Sequence, residues 1–278
     1  VIEIGKINNL IVSKHSTHGV YLKDEDAEEE VLLPNAFVDK KLSVGDVISV
    51  FIYKDSEDRI VATTEIPKLF LGQFELLRIK DITKVGAFAD WGLQKDLLIP
   101  YSEQKHELEV GEEYIVYLYL DEQTKRLVGS TKIRKHLQKE DVRLTPGDEV
   151  SLMAFDVSDL GVSVIVNEKY SGMVYDDEIY EPLEYGEKLN GYVKKVRPDG
   201  RLDITLRKFG YKKVATGSDK ILEKLHQNNG FLNLHDKSSP EEISNQLKMS
   251  KKVFKKAIGD LYKRKKIKIE KDGIRLIS

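Results

Sequence analysis

Aromatic and basic side chains recur in this chain at positions suited to a flexible polyanion with exposed ring faces. Phe88, Trp91, Tyr117, Tyr119, Tyr175 and Tyr192 offer flat apolar surfaces, and Arg126, Lys194, Lys195, Arg197 and Arg201 offer positive charge nearby in sequence. Such a set can stack on the bases of single-stranded RNA, at roughly 1–3 kcal/mol per base, while the cations track its phosphates. A denser basic group lies further on. Lys251, Lys252, Lys255, Lys256 and Lys263 recur at helical spacing and can contact RNA or DNA phosphates. Few Arg, Asn or Gln residues accompany them, so direct base readout is not expected there. Structural readings compete with each of these. A tyrosine on a strand can seal a seam between domains while its hydroxyl stays wet. A lysine-rich helix can be a solvated face or can pack on an acidic body. Trp91, beside Gly92 in a loop, is expected to be structural.

Other chemistries find little support. The chain has no cysteine, which excludes disulfides, thiolate metal sites and a cysteine nucleophile. It has no Gly-rich phosphate loop of the Walker type, no dinucleotide fingerprint and no HExxH helix. His15 and His18 are close, but on a strand they lack a nearby third ligand and read as surface or packing residues. Asp176-Asp177-Glu178 reads as the cap of a helical turn rather than a nuclease metal site. No catalytic residue, metal, cofactor or small-molecule substrate is therefore expected. No apolar run approaches the roughly 20 residues of a membrane span, and no signal peptide is visible. A monomer in the cytoplasm, without membrane contact, is the expectation.

The elements that must position these residues come in three copies. The first runs through His18-Gly19-Val20-Tyr21-Leu22 and Val31-Leu32-Leu33-Pro34, then Gly45-Asp46 to Tyr53. The second has Val85-Gly86-Ala87-Phe88-Ala89, Leu97-Leu98-Ile99-Pro100 and Gly111-Glu112 to Tyr119. The third has Leu160-Gly161-Val162-Ser163-Val164, Ser171-Gly172-Met173-Val174 and Gly186-Glu187 to Lys194. The period is too long for a solenoid and suits tandem small domains. Strand periodicity is two, which predicts one buried and one outward face. Counted from each Gly-Asp/Glu, Phe51, Tyr117 and Tyr192 fall at one outward register. Five short strands per copy predict a Greek-key barrel of the OB type. Ile133 to Leu137 reads as a short helical linker.

Beyond Ser218 the period becomes helical. Ser239-Pro240-Glu241-Glu242 is a capping box with proline at the first helical position. Ser250 caps a third helix whose buried face is read as Phe254, Ala257, Ile258, Leu261 and Tyr262. Two short strands around Lys271-Asp272-Gly273 then predict a hairpin. Three helices and a hairpin are the order of a winged helix, with the basic third helix in the recognition position. From residue 211 onward there are 17 Lys and Arg against 8 Asp and Glu, leaving 28 basic and 39 acidic residues in the remainder. A basic end on an acidic body points to a polyanionic partner.

The third copy resembles an S1 RNA-binding domain through Leu160 to Val164, Ser171 to Val174, Leu183 to Glu187 and Asp203-Ile-Thr-Leu206. The second matches through Gly86-Ala-Phe88 and Pro100-Tyr-Ser-Glu103, and the first is the most divergent. The tail from Gly230 to Pro240, followed by Met249 to Lys263, closely resembles the end of the conserved virulence factor B family. That resemblance spans the whole chain. It implies a mainly β protein with three tandem S1/OB barrels (1–66, 67–138 and 139–210) and an α+β winged helix (211–278). It also implies RNA binding linked to control of gene expression, without catalysis. In S1 domains a second-strand aromatic stacks bases. Phe88 holds that place, Tyr21 is its counterpart in the first copy, and Ser163 occupies it in the third. Tyr175 holds the usual histidine place near the third strand, where the other copies have Pro34 and Pro100.

Three readings follow. The first is a non-enzymatic regulator that binds single-stranded RNA through Tyr21, Phe88, Tyr117, Tyr119, Arg126, Tyr175, Tyr192, Lys194, Arg197 and Arg201 on the barrels. Lys251, Lys252, Lys255 and Lys256 add electrostatic affinity. The second is a winged-helix regulator that binds DNA. The third is a scaffold whose barrel faces dock proteins.

Overall fold

The computed structural model describes all residues except 26–27, 39–40, 180, 208–216 and 278. They form two compact units, residues 1–209 and 210–278.

The first unit is mainly β. Strands β1 (Ile7–His15), β2 (Gly19–Lys23), β3 (Glu30–Pro34), β4 (Val47–Lys54) and β5 (Ile60–Thr63) close a barrel in the order β1-β2-β3-β5-β4. Strands β6 (Phe74–Thr83), β7 (Gly86–Asp90), β8 (Leu97–Pro100), β9 (Glu113–Leu120) and β10 (Leu127–Ser130) form a five-stranded, barrel-like sheet in the order β10-β9-β6-β7-β8. A helical turn, α1 (Ile133–His136), leads to the third copy. There β11 (Glu149–Ser158), β12 (Gly161–Val166), β13 (Tyr170–Tyr175), β14 (Lys188–Val196) and β15 (Leu202–Thr205) again close a barrel, with β13 and β15 parallel.

Both repeated glycine signatures have a local cause. Gly19, Gly86 and Gly161 open the second strand of each copy with φ of +152°, +147° and +137°. A Cβ there would lie 2.1, 2.4 and 2.1 Å from the carbonyl oxygens of Leu33, Ile99 and Val174, so only glycine fits. The glycines of the Gly-Asp/Glu pairs act on the first strand. Their N–H groups (Gly45, Gly111, Gly186) donate to the carbonyls of Val12, Ile79 and Ala154 at 2.9, 2.8 and 2.8 Å. Those acceptors sit at the bulge that each first strand carries just beyond them, where barrel closure bends the strand.

Period two does not give one exposed face, as the sequence suggests it should. Val50, Phe51, Ile52 and Tyr53 on β4 are all buried, as are Ile115, Val116 and Leu118 on β9 and the whole of β12. Outward residues of one barrel are the inner wall of a seam with the next. Phe51, Tyr53 and Val61 of the first barrel join the core of the second around Leu69, Trp91 and Leu97. Phe74 and Ile115 of the second barrel, with Ile133 and Leu137 beside α1, cover Met153, Phe155 and Ile165 of the third. Small barrels bury little core alone, and these seams enlarge it.

The second unit has α2 (Gly217–Gln227), β16 (Phe231–Leu232), α3 (Pro240–Leu247), α4 (Lys251–Lys263), β17 (Ile267–Glu270) and β18 (Gly273–Leu276). The sheet order is β16-β18-β17, so a short strand joins the expected hairpin. Ser239 and Glu242 complete the capping box, and the Ser250 hydroxyl accepts from the Val253 N–H at 3.3 Å. Phe254, Ala257, Ile258 and Leu261 are buried. Tyr262 is not: it is 57% exposed, because one step of about 100° past Leu261 turns it off the apolar stripe.

Candidate nucleic-acid interface

In the third barrel, the side chains singled out by sequence meet on β13, β14 and β15. The Arg197 Nε donates to Asp203 Oδ1 at 2.7 Å, and its Nη2 donates to the Tyr175 hydroxyl, which itself donates to Asp203 at 3.3 Å. Lys194 Nζ donates to Glu178 Oε1 at 2.7 Å, and the Thr205 hydroxyl donates to Oε2 at 2.9 Å. Burial pushes the Glu178 carboxyl up, but these two hydrogen bonds outweigh it and hold it below the ordinary range. Asp203 in turn raises the Arg197 guanidinium. The Arg201 side chain lies 3.6 Å from Asp199, and Lys195 is exposed. Asp176-Asp177-Glu178 does form a helical turn, but no side chain caps it. Glu178 faces Lys194 and Thr205 instead, and no group of metal-ligating residues occurs among the described residues.

Phe51, Tyr117 and Tyr192 occupy one register, opposite Thr63, Ser130 and Thr205 respectively. Their surroundings differ. Phe51 is fully buried, edge-on to Trp91 at 5.7 Å and to Phe70 at 5.9 Å. Tyr117 lies against Phe74 at 4.6 Å and His136 at 4.3 Å, and Tyr119 stacks on His136 at 5.3 Å. Burial, then the nearby Glu103 carboxylate, push the Tyr119 hydroxyl up to about 12. The rings of Tyr117 and Tyr119 are thus already engaged in the seam. Tyr192 is half-buried, with no ring or hydrogen-bond partner among the described residues. Trp91 is structural, as its loop position suggests: it is 2% exposed and its Nε1 donates to the Lys95 carbonyl at 2.6 Å.

The remaining barrel candidates are scattered. Phe88 stands half-buried on β7 between Asp81 and Leu98. Tyr21 carries Lys14 over its ring at 4.7 Å, and Lys14 pairs with Glu30. Arg126 reaches into the first barrel and grips Asp58 through two nitrogens, so it clamps a seam. On these barrel faces, cations meet carboxylates at short range: Lys68 pairs with Asp90 at 2.9 Å and Lys80 with Asp96 at 2.8 Å.

Helix α4 is arranged differently. Lys252, Lys255 and Lys256 are exposed and Lys251 is half-buried, and none has an ion pair with another described residue. Sequence reasoning passed over Lys265, Lys266, Lys268 and Lys271, which are also exposed on and beside the hairpin. The Lys263-Arg-Lys-Lys266 run was the available signal.

The CvfB-like winged helix domain family matches residues 219–276, and the S1 domain family matches 4–65 and 71–132. The S1 match takes in the first copy, the most divergent by its motifs. Conserved virulence factor B of Staphylococcus haemolyticus is 26% identical over 281 residues, covering 98% of this chain and 94% of that protein. The chain thus resembles the conserved virulence factor B proteins along almost its whole length, and it carries a CvfB-like winged helix domain and S1 domains. A second relative, the uncharacterized protein YitL of Bacillus subtilis, is 25% identical over 275 residues, covering 95% of this chain and 90% of its own length. A solved multidomain protein with nucleic acid binding domains from Streptococcus pneumoniae aligns at 23% identity and a TM-score of 0.41, over 99% of this chain and 98% of that one. The matched domain types, S1 barrels of the OB class and a winged helix derived from the helix-turn-helix, are nucleic-acid-binding folds. No helix among the described residues is long and apolar enough to cross a membrane.

Proposed function

We propose that the protein is a non-enzymatic, cytoplasmic regulator that acts after transcription by binding single-stranded RNA as a monomer. The observation that carries this reading is the lysine cluster of α4. None of Lys251, Lys252, Lys255 and Lys256 has an ion pair with another described residue, and only Lys251 is close enough to a carboxylate, that of Glu242, to lower its pKa, so a phosphate displaces mainly water and counterions there. The preference for RNA over DNA rests on three S1-type barrels and on an α4 with few side chains suited to base edges. Tyr192 and Phe88 are the proposed stacking residues, with Tyr21 and Tyr175 as supplementary positions. Lys194, Arg197 and Arg201 serve phosphates after exchange with their carboxylate partners. The proposed modules are 1–66, 67–138, 139–210 and 211–278, the last limit lying outside the described residues.

A second reading, duplex DNA binding, is favoured by the position of α4 as the recognition helix of a winged helix. Fluorescence anisotropy with RNA strands, matched DNA strands and a DNA duplex at two salt concentrations separates the two. Tightest binding to single-stranded RNA, weakening with salt, supports the proposal. Tightest binding to the duplex transfers the function to DNA, and no binding to any of them leaves a protein-docking scaffold.

A further inference from the structure

A cleft of about 620 Å³ opens between the second and third barrels, beside α1. It is of the size that takes small ligands, roughly 300–1,000 Å³. Its walls carry three flat groups, each fixed by a contact of its own. The Arg134 guanidinium lies over the Phe155 ring at 5.0 Å and pairs with Asp156 at 2.7 Å. The Tyr185 hydroxyl accepts from the Ile115 N–H at 3.0 Å, yet the residue is 46% exposed. The Tyr114 hydroxyl accepts from the Glu109 N–H at 3.1 Å. Planar surfaces that are held and still open lose little entropy when a planar ligand stacks on them.

The charge of the cleft points the same way. Its lining carboxylates, Asp156 and Glu113, are both paired, the second with Arg78 at 3.3 Å. Lys105 has no ion pair with a described residue, and Lys132 donates to the Ser102 carbonyl at 2.6 Å rather than to a carboxylate. An anion attached to a flat aromatic ring matches this set.

We infer that the cleft binds a single nucleotide, its base against Arg134, Tyr185 and Tyr114 and its phosphate toward Lys105 and Lys132. The nucleotide is either a free monophosphate or one unit of a bound strand. Binding of the free form does not depend on the RNA-binding proposal.

The test uses the full chain and Val157→Trp. Val157 lines the cleft and is 66% exposed, so a larger ring fills the space without entering a core. Thermal unfolding checks that the variant folds, and Lys105→Ala with Lys132→Ala is the second variant. Uridine and adenosine 5′-monophosphates, their parent nucleosides and a short RNA are titrated by calorimetry. The expected result is a loss of roughly tenfold or more in affinity for a monophosphate or for the RNA in both variants. A loss confined to monophosphates names the free nucleotide as occupant, and a loss confined to RNA names the strand. Monophosphate binding without RNA binding sinks the RNA proposal and leaves this one standing. If neither ligand responds to Val157→Trp, the cleft is not a nucleotide site.

Discussion

The barrels and the winged helix both carry basic and aromatic side chains, but they spend them differently. In the barrels, Arg197, Lys194, Lys80 and Arg126 face carboxylates, and Phe51, Tyr117 and Trp91 face other barrels. On α4, Lys252, Lys255 and Lys256 face solvent, and no lysine there has an ion pair with another described residue. A phosphate at the third barrel must compete with Asp203 or Glu178, while on α4 it competes mainly with salt. The same residue types therefore hold the body together in one unit and remain open to a polyanion in the other. Tyr192 breaks the pattern. It shares the register of Phe51 and Tyr117, yet it has no ring partner among the described residues.

Phe51→Ala is the largest test of the engaged half. It empties a fully buried aromatic site in the first seam, and large-to-small changes of this kind cost about 3–5 kcal/mol. Denaturant unfolding of the full chain should show that loss. A loss under about 1 kcal/mol would mean that the seam is loosely packed.

Replacing Lys251, Lys252, Lys255 and Lys256 together by alanine tests the open half. Stability should hardly change, since surface substitutions lie within about 0.5 kcal/mol. RNA affinity should drop by at least about a hundredfold, and the slope of log affinity against log salt should fall by about 3 for four lost contacts to a single strand. An unchanged slope would remove α4 from the interface.

Tyr192→Ala sharpens the exception. If Tyr192 stacks a base, affinity falls by roughly 1–3 kcal/mol with an unchanged unfolding midpoint. A drop in stability without a drop in affinity would place Tyr192 with Phe51 among the structural rings.

The smallest effect concerns His136, the last residue of α1, which stacks on Tyr117 and Tyr119 of the second barrel. Burial first, then Lys135, depress its pKa below the ordinary 6.5. The unfolded chain therefore binds this proton more readily than the folded one, so stability is present above pH 6.5 and is lost as pH falls through the depressed value. His136→Phe should flatten the pH dependence of the melting temperature between pH 8 and 5.5. A slope identical to that of the parent would show that His136 does not set it.

Much of this architecture was legible because it rests on local physics. The first glycine signature marks positions where only glycine fits beside a backbone carbonyl, and the second marks positive-φ turns that favour glycine, so each copy announces its second strand and its closing strand. Ser239, Pro240 and Glu242 announce a helix start through hydrogen bonds within three residues. The lysines of α4 stand out because charge at helical spacing needs no tertiary partner to be recognised.

The fate of the outward strand residues was not legible. Phe51, Tyr117 and Tyr192 share a register, yet rings from elsewhere in the chain, His136 of α1 among them, meet the first two and none among the described residues meets the third. The reach of Arg126 to Asp58, and of Lys194 to Glu178, depends on which strands and turns come together. Local sequence determined the barrels, the caps and the charge of α4, because each depends on near neighbours along the chain. Tertiary structure alone decided which aromatics and cations stay open to a ligand, because burial and ion pairing are set by residues brought together from distant parts of the sequence.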